Sequence, residues 1–165
     1  MNRKIGIPLF CATAFLQGMV FYGPIATLYR QARGVSVFQI TLIESISLAC
    51  LIALEIPWGY VADRIGYRRT LAACNVLYFL SKIVFWRAEG FGGFLLERLM
   101  LSAVLSGLSG CDSAYLFSLA GEGESQKAFG AYEASATAGL VAASLLFSTA
   151  VGGDFDAAGF LTVLS

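Results

Sequence analysis

Apolar positions along this chain gather into long runs separated by short polar connectors. A helix needs about 20 mainly apolar residues to cross a hydrocarbon core roughly 30 Å thick. On that measure the pattern predicts spans at residues 5–28, 37–61, 71–86, 94–119 and 128–151, with a sixth begun at about 160. The first is the cleanest: from Ile5 to Tyr29, 25 consecutive residues carry no charge. Arg3 and Lys4 in front of it imitate a signal peptide, but the run exceeds the roughly 7–15 residues of a signal core, so it reads as a retained span. The second carries Glu44 and Glu55 and ends in a basic turn, Asp63 to Arg69, while the fifth is uncharged from Ala134 to Gly153. The chain stops at Ser165 inside an apolar run, and half a span cannot satisfy its backbone in lipid. The expected organisation is therefore one transmembrane bundle, 1–165, truncated in its sixth helix.

Composition excludes the soluble domain that 165 residues would otherwise allow. Hydrophobic residues make up 58%, and charged residues 13% against about 25% for soluble proteins. Mean hydropathy is +0.74, and the fold class is an all-α membrane protein. A net charge of zero offers nucleic acid no electrostatic purchase. There is no His, the commonest general base near neutrality and the commonest metal ligand. No nucleophile, base and orienting group converge at recognisable spacing, so neither an enzyme, a metal nor a cofactor is expected. Cys11, Cys50, Cys74 and Cys111 all fall in apolar runs and read as small buried hydrophobes. With the N-terminus inside, Arg3, Lys4, Arg64, Arg68, Arg69 and Lys127 are cytoplasmic and Arg30, Arg33 and Arg87 external, which favours that orientation. Lys82 and Arg98 count on neither side, since their stems can snorkel to the outer interface.

Charges within spans cost about 2.5–3.5 kcal/mol each near the helix centre, so each needs a partner or water. Glu44 and Arg98 share the outer third and are expected to pair. Glu55, Asp112 and Glu133 lie in the inner third, with Glu55 and Glu133 forming a cytoplasmic cluster in which Glu133 pairs with the basic turn. Glu97 is expected to be interfacial and solvated. At about 100° per residue, Arg98, Ser102, Ser106, Ser109 and Asp112 fall within about one third of the fourth helix's circumference, a stripe suited to lining water. Ala103, Gly107, Gly110 and Ala114 occupy the opposite, close-packing side. In the first span Gln17 and Tyr22 are the polar positions at membrane depth. Gln17, Tyr22, Glu44, Arg98, Ser102, Ser106, Ser109 and Asp112 are thus the candidates for substrate or ion coupling.

The most specific motif runs from Glu55 to Thr70: Glu-Ile-Pro-Trp-Gly-Tyr-Val-Ala-Asp-Arg-Ile-Gly-Tyr-Arg-Arg-Thr. Gly66 permits a reversal at positive φ, and Asp63 can accept charge-assisted hydrogen bonds from arginines or a helix N-terminus. Gly59, Asp63, Arg64, Gly66, Arg68 and Arg69 resemble the loop signature of the major facilitator superfamily. Its context also agrees, between spans two and three on the basic side. Tyr67 stands where a basic residue is commoner. Leu95-Leu96-Glu97-Arg98 is similar to the opening of the family's span-four signature, though Leu101-Ser102 replaces its Gln-Gly, and the proline-containing span-five motif of many antiporters is absent.

The resemblance implies an incomplete six-helix half of a twelve-span transporter, built from inverted three-helix repeats with substrate at the midplane between halves. The counterpart of the basic turn in the second repeat is Gly152 to Asp156, outside and without Arg or Lys. The implied activity is secondary active transport of a small solute by alternating access, with Asp63 and its arginines as a cytoplasmic latch. The implied partners are the lipid bilayer, the missing C-terminal half, an unknown small molecule and a coupling proton. The expected location is a bacterial inner membrane with the N-terminus cytoplasmic. The competing account is a short standalone membrane protein with a structural or scaffolding role. The two differ in whether the polypeptide continues past Ser165.

Overall fold

The computed structural model describes residues 3–20, 26–121 and 124–146. Among them every regular element is a helix: α1 Arg3–Gly18, α2 Ala26–Ala32, α3 Val37–Ile65, α4 Tyr67–Arg87, α5 Gly90–Ala120 and α6 Ser125–Leu146. They belong to two compact units, residues 1–24 with 113–165, and residues 25–112.

In the second unit, α3 starts with reciprocal caps: the Gln39 N–H donates to Ser36 Oγ at 3.3 Å and the Ser36 N–H donates to Gln39 Oε1 at 2.9 Å. Its 29 residues span about 43 Å, matching a bilayer with its headgroup layers. Among the described helices, α3 and α5 are long and apolar enough to cross a membrane. Phe38, Leu48, Ile52 and Ile56 of α3 are exposed, Ile56 at 84%. Such a surface is costly in water and ordinary against acyl chains.

A single residue joins α3 to α4. Gly66 sits at φ +87°, its N–H donates to Ala62 O at 2.9 Å, and its carbonyl accepts from the N–H groups of Arg69 and Thr70. A side chain at that φ would be strained, so glycine lets the chain reverse in one step. Contacts fix the directions. Glu44 meets Arg98, Ser47 meets Ser102 and Trp58 abuts Gly107, so α3 and α5 run parallel. Cys74 lies at Gly107 and Phe85 at Phe94, so α4 runs back between them. Tyr29, Phe85 and Phe94, all fully buried, form an aromatic core at the far end.

In the first unit α1 packs on α6 through glycine. A Cβ on Gly18 would overlap the backbone of Ala136, and one on Gly139 the carbonyl of Phe15, so the backbones approach as closely as small residues allow. Phe10 stacks on Tyr132 at 5.0 Å and meets Tyr115 edge-on, beside Leu116, Ala120 and Ala128.

The helices differ from the predicted spans at their ends. The first does not run on to 28: it stops at Gly18, where the Met19 N–H is shared between the carbonyls of Phe15 and Leu16 and the Val20 N–H bonds to Gly18 O. Tyr29 and Arg30 belong to the separate α2. By contrast α3, α4 and α5 each extend past their apolar runs, because backbone hydrogen bonding continues through polar residues beyond the hydrocarbon boundary. The fifth span is described as far as Leu146, and the start of the sixth, the 152–156 turn and Tyr22 lie outside the described residues.

Candidate functional site

Two polar constellations stand at opposite ends of the second unit. At the aromatic end, α2, α3 and α5 bring four charged groups together. Glu44 Oε1 accepts from Arg30 Nη1 at 2.8 Å and from Arg98 Nε at 2.9 Å, with Arg98 Nη2 closer still. Arg30 Nη2 is 3.8 Å from Glu97 Oε2, a Coulombic contact beyond hydrogen-bond reach. The Arg30 guanidinium lies 5.9 Å from the ring centroids of both Phe85 and Phe94, within the range of cation–π attraction. One helical turn further along, Ser102 Oγ is 2.8 Å from Arg98 O, 2.9 Å from Ser47 O and 2.7 Å from Ser47 Oγ. Its single proton serves one carbonyl while the Ser47 hydroxyl donates to it. The charges and hydroxyls therefore tie α2, α3 and α5 to one another.

Four expectations are corrected here. Glu97 is not solvated but 1% exposed, and Arg30, assigned to an external connector, is 3% exposed. Both are buried because α2 folds Tyr29 and Arg30 against the aromatic core, with the Tyr29 hydroxyl donating to Trp86 O at 3.1 Å. Lys82 does not snorkel out: it is 4% exposed, with its ammonium 4.6 Å over the Tyr78 ring. The α5 stripe does not line water along its length, since Ser102 and Ser106 are buried while Ser109 is exposed and Asp112 half-buried. Gly107, on the opposite side, is packed too: a Cβ there would lie 2.6 Å from Cys74 Sγ and 3.0 Å from the Trp58 ring. The helix is enclosed on both sides at this level.

At the other end, the α3–α4 turn presents Asp63, Arg64, Arg68 and Arg69, all exposed. Among the described residues no ion pair joins Asp63 to these arginines, and Arg64 instead lies 4.6 Å over the Tyr60 ring. Beside the turn, the unit forms a half-open pocket of about 380 Å³ lined by Glu55, Trp58 and Asp63 of α3, Tyr67 of α4, and Ser106 and Ser109 of α5. Among the described residues the Ser106 hydroxyl has no hydrogen-bond partner. Of the remaining candidates, Gln17 is half-buried on α1 and Glu133 is exposed on α6, both in the other unit. The four cysteines are free thiols, with Cys74 and Cys111 buried.

Sequence reasoning missed Arg30 and Glu97. The available signal was the aromatic residue beside each buried charge: Tyr29 precedes Arg30, and Phe94 lies one helical turn before Glu97 and Arg98.

Compared with known families, residues 9–164 match the model of the Major Facilitator Superfamily. No curated protein matches the sequence.

Proposed function

Because the chain belongs to the Major Facilitator Superfamily, whose members carry small solutes across membranes, we propose that it works by alternating access as part of a longer polypeptide, with the α3–α4 turn as its conformational latch. The observation that carries this reading is the exposed Asp63, without an ion-pair partner among the described residues, in the last turn of α3 before the one-residue reversal at Gly66, inside the matched region. From Asp63 back to Glu44 is about 28 Å of helix, so Asp63 acts far from the opposite end of the span. A carboxylate without an ion-pair partner among the described residues is available to a helix N-terminus or arginine of a second half, and a contact made in only one conformation biases the equilibrium. The turn faces the cytoplasm of a bacterial inner membrane, and the N-terminus lies on the same side. Gln17, Arg98 and Asp112 are the groups we assign to solute or proton coupling, while the Glu44–Arg98 contact holds the outer end.

A charge-assisted hydrogen bond contributes about 1.5–3 kcal/mol, which corresponds to a population shift of about 10- to 150-fold. The test is the alkylation rate of Ile65→Cys by an impermeant maleimide in inside-out vesicles, with and without Asp63→Asn. The substitution should raise the rate by opening the cytoplasmic side. An unchanged rate removes the latch.

A further inference from the structure

The pocket beside the turn holds Glu55 and Ser106, which the latch does not use, together with Asp63, which it does. We propose that it binds a small linear diamine, its two ammonium groups held by Glu55 and Asp63, with the Ser106 hydroxyl bonded to the one at Glu55.

The first ground is placement. Glu55, Trp58, Ala62 and Asp63 are spaced i, i+3, i+7 and i+8 on α3 and line one cavity wall. The two carboxylates are separated by eight residues, about 12 Å of helix rise, with Trp58 and Ala62 between them. Among the described residues neither takes part in an ion pair. Both carboxylates are thus open to an incoming cation on one concave wall. The second ground is independent of them. Ser106 lines the same cavity from α5, is 4% exposed, and leaves its hydroxyl unmatched. Thr70, Ser81 and Ser102 on the same unit's helices all bond a carbonyl three or four residues back, so the isolation of Ser106 is not the ordinary state of a buried helical hydroxyl. A ligand N–H or lone pair supplies what it lacks.

Chemistry then selects the ligand. Among the described residues no cluster of three or more His, Cys, Asp or Glu could strip and hold a metal ion. The volume falls within the roughly 300–1,000 Å³ of small-molecule sites. Subtracting an ammonium–carboxylate contact of about 2.8 Å at each end leaves about 6–7 Å between nitrogens, the reach of a four- or five-carbon chain. That chain lies along the apolar Trp58–Ala62 surface. The site lies within one unit and shares Asp63 with the latch, but calorimetry reads binding and the alkylation rate reads conformation, so failure of one is distinguishable from failure of the other.

The test uses the full chain purified in detergent at neutral pH, with titration calorimetry of 1,5-diaminopentane, pentylamine and 1,5-pentanediol. The diamine should bind at least about tenfold more tightly than the monoamine, and the diol should not bind. Glu55→Gln should cost the diamine about tenfold and bring it to the level of the monoamine, while Glu55→Asp retains most of the affinity and shows that the cavity is intact. Ser106→Ala should weaken both amines about fivefold, and Glu89→Gln, a distant exposed carboxylate, should change nothing. Equal binding of diamine and diol, no diamine binding to the unmodified chain, or a Glu55→Gln protein that still prefers the diamine overturns the assignment.

Discussion

Arg30→Met is the substitution whose consequence the structure specifies most fully. Arg30 is 3% exposed and touches two carboxylates, Glu44 at 2.8 Å and Glu97 at 3.8 Å. Their fates after its removal differ. Glu44 is 41% exposed and keeps both bonds from Arg98, so its loss is small. Glu97 is 1% exposed and loses the cation that faces its Oε2. Deleting one member of a buried pair costs about 3–5 kcal/mol, chiefly through the charge left behind. Methionine preserves most of the packing on Phe85 and Phe94, so the electrostatic part dominates. Glu97→Gln alone should cost only about 1 kcal/mol, because Arg30 retains its bond to Glu44. In the double variant no uncompensated charge remains, and most of the loss should return, giving a coupling above about 2 kcal/mol. For a chain of this size about 3 kcal/mol corresponds to a fall of about 6–12 °C in melting temperature. The assay is the temperature at which the detergent-solubilised monomer disappears from a size-exclusion profile. If the double variant melts as low as Arg30→Met, the arginine acts through the packing of its stem and the charge argument is refuted.

Gly139→Ala should destabilise by at least about 1–3 kcal/mol, since its methyl would meet the Phe15 backbone, whereas Gly130→Ala, which opens onto free space, should be neutral or slightly stabilising in the same melting assay. Ser36→Ala removes the cap of α3 and should cost about 1 kcal/mol, with Ser36→Asp recovering it. For topology, in a background where the native cysteines are replaced by alanine, Glu89→Cys should react with an impermeant thiol reagent added outside and Gln126→Cys should not; the reverse pattern would invert the orientation.

The sequence alone determined the features that depend on local chemistry and on the solvent. Runs near 20 apolar residues declare membrane helices, because hydrocarbon admits no unsatisfied backbone. Gly66 within its motif declares a reversal, because only glycine adopts that φ without strain. The cost of a charge inside a span declares that Glu44 and Arg98 need partners. Which partner each obtains, and which residues become buried, was decided by tertiary structure. Arg30 looks like a loop residue until α2 folds it onto Phe85 and Phe94. Glu97, adjacent to Arg98, looks like the solvated half of a dipeptide until α2 brings Arg30 against it. The α5 serine stripe has the periodicity of a water-lined face, but Ser102 is sealed by Ser47 of α3, and Ser106 and Ser109 border a pocket. Periodicity places side chains on one side of a helix. What stands opposite that side is a long-range fact, fixed by which helices pack together and how closely their small residues let them approach.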